Sequence, residues 1–207
     1  MRVVQPSKIV CVGRNYAAHA RELGNEVPKQ PLLFLKPPSS LIGDGEAIML
    51  PAASQQVEYE AEIAVVIGRT ARKVVARDAL QFIHGVTCAN DVSARDLQKS
   101  DGQWGRAKGF DTFCAVGPVV AEGLDLAALE VIGRLNGVER QHGFTGDMVF
   151  SIPVLIEYIS HVMTLEPGDL ILTGTPEGVG KLAPGDVIAV EIPGVGILQN
   201  PVTAEAP

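Results

Sequence analysis

The sequence predicts an α+β chain made mostly of mixed β-sheet, on three observations. Glycine (22) and proline (14) interrupt the chain at short intervals. The segments between them are short and rich in Val, Ile and Leu, as strands are. Helical apolar spacing holds in only a few places.

The first apolar run, residues 8–12, reads as a strand. Asn15 then offers a cap for a helix running to Leu23, with Gly24 as its stop. A second strand covers 32–36, and a third, 57–67, alternates with period two. A strand over 85–90 leads into Ser93-Ala94-Arg95-Asp96, a capping box with Asp in the place of Glu. Strands over 115–120 and 129–138 follow, then a helix over 152–163 with Pro153 in its first turn. The last strands cover 169–173, 186–192 and 196–199. Two of them are introduced alike, by Pro167-Gly168-Asp169 and Pro184-Gly185-Asp186, each a Pro-Gly turn feeding a strand.

Composition limits what the chain can do. With 207 residues, 46% hydrophobic and 20% charged, and with no low-complexity linker, residues 1–207 are expected to form one domain around a substantial core. A net charge of −7 has the wrong sign for a polyphosphate binder, so no nucleic acid partner is expected. Cys11, Cys88 and Cys114 are odd in number and lack any C-x-x-C spacing, which argues against a disulfide framework or a zinc cage and for a reducing, cytoplasmic setting. The amino terminus shows no apolar h-region, and no apolar run approaches the ~18 residues of a membrane span; a soluble protein with no membrane partner is expected.

Candidate chemistry begins in the alternating strand. Its period puts Glu58, Glu60 and Glu62 on one face. Solvent ordinarily explains a lone Glu-x-Glu. Here, however, Ala64 and Val66 continue the same face, and a strand apolar on both sides is buried on both. Carboxylates at the end of a buried strand call for a cation. Asp91, where the next strand ends, is a candidate third acid, in competition with Asp96, Asp101 and Asp111. Two glutamates and an aspartate would suit a hard ion, Mg²⁺ or Mn²⁺, over zinc.

His19 and Glu22, three apart on the first predicted helix, share a face and make a plausible base with its orienting partner; a solvated surface pair is the alternative. His84, His142 and His161 have no such neighbours. Arg95, Gln98 and Lys108 follow Asp91 in a polar stretch, and Thr173-Gly174-Thr175-Pro176-Glu177-Gly178-Val179-Gly180 is a glycine-rich turn after a strand. Either could cradle an anion. The turn lacks Walker spacing, and the chain has neither H-E-x-x-H nor G-x-S-x-G. Cys114, in an apolar context, reads as core.

Taken together these motifs resemble the fumarylacetoacetate hydrolase family. They are Gly13-Arg14-Asn15-Tyr16 with His19 and Glu22; Leu33-Phe34-Leu35-Lys36-Pro37; Glu60-Ala61-Glu62; Asn90-Asp91-Val92-Ser93-Ala94-Arg95-Asp96; Lys108-Gly109-Phe110-Asp111; and Leu172-Thr173-Gly174-Thr175-Pro176 with Gly178-Val179-Gly180. Their order matches over nearly the whole chain, most closely in the catalytic domain of small members, the acylpyruvate hydrolases and oxaloacetate decarboxylases. The resemblance implies a mixed β-sandwich roll, commonly a homodimer, without the amino-terminal domain of larger relatives.

It further implies that Glu60, Glu62 and Asp91 ligate Mg²⁺ or Mn²⁺, with Glu58 and Asp96 outside the ligand set. His19 and Glu22 become the water-activating pair, Lys108 the active-site lysine, Arg95 and Gln98 substrate contacts, and Gly174-Thr175 the turn that binds the substrate carboxylate. The implied activity is metal-dependent C–C bond hydrolysis of acylpyruvate-type 2,4-dioxo acids, with oxaloacetate decarboxylation as a companion. The rivals are isomerisation or decarboxylation of unsaturated 2-oxo dicarboxylates, of the 2-hydroxyhepta-2,4-diene-1,7-dioate type, and a non-catalytic metal-binding module.

Overall fold

Short apolar runs bounded by turn residues pair into sheets, and the computed structural model describes the chain over residues 4–205. In chain order the strands are β1 (Ile9–Gly13), β2 (Leu32–Lys36), β3 (Leu41–Ile42), β4 (Ile48–Leu50), β5 (Val57–Tyr59), β6 (Ala61–Ile67), β7 (Ile83–Asp91) and β8 (Ser93–Ala94). They continue as β9 (Cys114–Ala121), β10 (Glu130–Leu135), β11 (Val138–Phe144), β12 (Leu170–Leu172), β13 (Gly180–Lys181), β14 (Val187–Ile192) and β15 (Gly196–Ala204). The helices are α1 (Ala17–Glu22), α2 (Arg95–Asp101), α3 (Gly105–Lys108) and α4 (Ile152–Val162).

A seven-stranded sheet, ordered β2-β1-β12-β6-β7-β9-β3, is the frame of the molecule. It is mixed: β1 with β12 and β3 with β9 run parallel, the other neighbours antiparallel. A five-stranded sheet, β11-β10-β14-β15-β4, and a small one, β13-β5-β8, complete it. One face of the large sheet, with Val10, Ile63 and Val65, packs with Leu155, Ile156 and Ile159 of α4 and with Val131, Ile188 and Val190 of the second sheet. The opposite face carries a smaller cluster that includes Cys11, Ala64, Val66, Cys114 and Leu172. β6 is therefore buried along its whole length, as its apolar composition on both faces predicts. It runs in register with β7 from Ala61 opposite Asn90 to Val66 opposite Gly85, and slips at Ile67.

Four expectations are corrected. The run 57–67 is two strands broken at Glu60, whose N–H turns to the Asn90 side chain (3.0 Å). The run 129–138 folds back on itself: Asn136 and Gly137 both take left-handed backbone (φ 53° and 80°) and join β10 to β11 as a two-residue hairpin. Asn15 does not cap α1, which starts after Tyr16. Its amide instead donates to the carbonyls of Phe150 and Thr173 and accepts the Phe150 N–H. No capping box opens α2, where Ala94 precedes the first turn. Ser93 donates to the Asp91 carbonyl, and Asp96 accepts from Ser54 and from the Gln55 N–H. For Asn15 and Asp96 a tertiary partner outcompetes the local one, whereas Ser93 turns back to a carbonyl two residues before it. The paired Pro-Gly turns stand as read: Asp169 accepts the Glu166 N–H at 2.8 Å and Asp186 the Ala183 N–H at 2.7 Å.

Candidate active site

The break at Glu60 and the end of β7 coincide. The Asp91 N–H donates to the Glu60 carbonyl at 2.9 Å, which brings these residues together, and Glu62 lies two positions along on the same face. Carboxylate oxygens of Glu60, Glu62 and Asp91 consequently lie within 4.8 Å of one another, and all three residues are buried.

Three buried cations surround them. Lys108, closing α3, donates to Glu60 Oε2 (2.8 Å) and Asp91 Oδ2 (2.7 Å). Arg95, opening α2, donates through Nε to Glu58 Oε2 (2.7 Å), through Nη1 to Gln98 Oε1 (2.9 Å), and through Nη2 to Glu60. Lys36, closing β2, donates to Asp91 Oδ1 (2.5 Å) and to the Val92 carbonyl (3.1 Å). Lys36 and Glu58 were not assigned functional places by sequence reading. For Lys36 a signal existed, since a lysine at the end of the apolar run Leu32-Leu33-Phe34-Leu35 must reach solvent or find a buried partner. Glu58 pairs with Arg95 and Gln56 and stands outside the triad.

The carboxylates differ in what holds them. Burial alone would raise Glu60, but Lys108 and Arg95 outweigh it and keep its carboxyl far below the usual range. Glu62 goes the other way: burial, Asp91 and Glu60 push its carboxyl well up, opposed in part by Lys108 and by the Gly174 N–H, 2.7 Å from Oε2. Burial would lower Lys108, yet Asp91 and Glu60 prevail and raise its ammonium. Glu62 is thus the triad member with no ion-pair partner among the described residues. A divalent cation would supply the missing charge, and an all-oxygen donor set fits Mg²⁺ or Mn²⁺.

A cavity of about 440 Å³ opens over this cluster, with Glu60, Arg95, Gln98, Lys108 and Thr175 in its wall. His19, buried on α1, and Glu22 also line it. Glu22 Oε2 is 3.1 Å from His19 Nδ1, and its Oε1 accepts the Gly178 N–H at 2.9 Å. The acid is therefore tied at both ends and fixes the imidazole ring. Gly174 stands behind the wall, its N–H committed to Glu62, and the Thr175 hydroxyl donates to the Ala61 carbonyl at 2.8 Å. Only glycine suits Gly178: its φ is 98°, and a Cβ would meet the Arg140 carbonyl oxygen at 1.9 Å.

His84, His142 and His161 lie away from the cavity, the first two against surface glutamates. All three cysteines are free and buried. Cys114 packs in the core, as its apolar context predicts, and burial pushes the Cys88 and Cys114 thiols up to about 12. Among the described residues no helix is long and apolar enough to cross a membrane.

A mixed β-fold that gathers acids, cations and an oriented imidazole around one cavity is the build of an enzyme. Residues 8–203 match the fumarylacetoacetate (FAA) hydrolase C-terminal family, and the chain belongs to that family. A mitochondrial oxaloacetate tautomerase of Arabidopsis thaliana is 48% identical over 94% of this chain and 90% of its own length. A mitochondrial oxaloacetate decarboxylase of Dictyostelium discoideum is 44% identical over 91% of this chain and 89% of its own. Among solved structures, a 5-carboxymethyl-2-hydroxymuconate delta-isomerase of Mycobacterium smegmatis superposes with a TM-score of 0.93 at 48% identity, covering 99% of this chain and 81% of that one. A 2-hydroxyhepta-2,4-diene-1,7-dioate isomerase of Mycobacterium marinum does so with a TM-score of 0.92 at 48% identity, covering 99% and 77%. The expected family and its mixed β-sandwich roll are both borne out.

Proposed function

We propose that this enzyme, as a single catalytic domain, uses Mg²⁺ or Mn²⁺ to hydrolyse a C–C bond of acylpyruvate-type 2,4-dioxo acids, and that it also decarboxylates oxaloacetate. The reading is carried by one observation: Glu60, clustered with Glu62 and Asp91, lines the same cavity as the His19–Glu22 pair. Held by the three acids, the ion would supply Lewis acidity, drawing electrons from the bond that breaks. Arg95 and Gln98 contact the substrate, and the Gly174-Thr175 turn faces its carboxylate through Thr175, which lines the cavity, while the Gly174 N–H stays with Glu62. His19, oriented through Nδ1 by Glu22, takes the proton of the attacking water at Nε2. Lys108 or Arg95 faces the negative charge that develops on the acyl oxygen. Loss of CO₂ needs no attacking water, so decarboxylation leans less on His19.

The names of the two mycobacterial structures favour a second reading, isomerisation of an unsaturated 2-oxo dicarboxylate at the same site. Turnover of acetylpyruvate, oxaloacetate and 2-hydroxyhepta-2,4-diene-1,7-dioate, with Mg²⁺, Mn²⁺ or EDTA, separates the two. The first reading expects metal-dependent loss of acetylpyruvate, and isomerisation of the diene alone would replace it with the second. A cytoplasmic homodimer is the proposed working form, and sedimentation of the purified chain tests the dimer.

A further inference from the structure

We propose that Arg14 selects the far end of the substrate by binding a second carboxylate, so that the site prefers 2-oxo dicarboxylates to their monocarboxylate counterparts. This inference rests on the 2-oxo acid reading of the site. Four cations line the cavity: Arg14, Arg95, Lys99 and Lys108. Arg95 and Lys108 are already bound to the acids at its base. Among the described residues Arg14 and Lys99 form no ion pair and no side-chain hydrogen bond. Lys99 is exposed on a flexible stem, whereas Arg14 is half-buried and held.

Its support is unusual for a surface arginine. The Arg14 backbone sits at φ 60°, a left-handed conformation that is unfavourable for a non-glycine residue and persists only where the surroundings hold it. The next residue, Asn15, is anchored by three side-chain hydrogen bonds to Phe150 and Thr173. The guanidinium then lies 5.9 Å from the centre of the Trp104 ring. Trp104 is itself fixed, edge-on to Phe34 at 5.2 Å and close over Gly13, where a Cβ would come within 2.9 Å of the indole. The cavity's cations differ in burial: Lys108 and Arg95, bound to the acids, are 2% and 3% exposed, whereas Arg14 is half-buried. In the proposed pose, a 2-oxo acid engaged by the buried acids presents its remaining substituent to the more exposed part of the wall that Arg14 lines. A planar, preorganised fork without an acceptor is the group that recognises a carboxylate there.

Oxaloacetate and acetylpyruvate test this closely, because a carboxylate in one stands where a neutral acetyl group stands in the other. Their relative affinities for the Mg²⁺-loaded protein are measured by titration calorimetry and by KM, in wild type, Arg14→Gln and Arg14→Lys. Wild type is expected to favour oxaloacetate, and Arg14→Gln to reduce that preference about tenfold or more, with Arg14→Lys between them. A wild type without preference overturns the inference, as does an Arg14→Gln variant that weakens both ligands equally. If neither compound is turned over, the proposed activity fails, while the affinity ratio still decides the role of Arg14.

Discussion

Lys36, 1% exposed, contributes a buried charge to the site's balance. Its ammonium satisfies Asp91 Oδ1 and the Val92 carbonyl together. Lys36→Met should leave part of a buried carboxylate unpaired and cost about 3 kcal/mol or more, read from urea unfolding in EDTA. His19 acts on reaction type rather than on stability. His19→Ala is expected to lower acetylpyruvate hydrolysis by about 10²–10⁴-fold while oxaloacetate decarboxylation partly survives; an equal loss of both would contradict the separate use of the imaidazole in the water step. The triad itself was legible because Glu60-Ala61-Glu62 runs into a strand too apolar to be exposed. Arg14 was not, since the role proposed for it rests on a backbone angle and a neighbouring indole that no spacing announces.

At the scale of elements, strands with long apolar runs could be read and those without could not. β2 was recovered at its full extent, whereas β3, β8 and β13 are two residues long and carry no period. The hairpin at Asn136-Gly137 was readable from its dipeptide, but the apolar run on either side masked it. Caps failed for a different reason: Asn15 found partners far along the chain, and Ser93 bonded back to the Asp91 carbonyl instead of forward into its helix. The Pro-Gly turns were legible because their geometry is local, and Asp169 shows how much one of them holds. It accepts from the N–H groups of Ser7, Lys8 and Glu166, from the Ser7 hydroxyl and from the Lys8 ammonium, tying the chain's start to β12. Burial would raise its carboxyl, but these donors prevail and hold it below its ordinary value. A depressed carboxyl contributes stability above its unfolded pKa of about 3.9 and loses it as pH falls through the folded value. Asp169→Asn should therefore cost about 2 kcal/mol at neutral pH, and the gap to wild type in chemical unfolding should narrow below about pH 4.

For the molecule as a whole, the triad links ligand binding to folding. An ion that binds the folded chain at a hundredfold excess over its Kd stabilises it by about 2.7 kcal/mol, roughly 5–10 °C in Tm for a chain of this size. Mg²⁺ or Mn²⁺ is expected to produce such a rise by calorimetry, and Glu62→Gln to abolish it. A full rise in the variant would remove Glu62 from the ligand set. The pairing of β6 with β7 carries one more consequence. Its slip at Ile67 lies at the opposite end of the pair from the acids. One extra amino acid near Ile67 can be absorbed as slack, whereas the same insertion between Glu60 and Glu62 reverses the alternation and points one oxygen donor away from the others. Relatives that differ in length along this pair should therefore do so beyond Val66, and almost never at the acidic end.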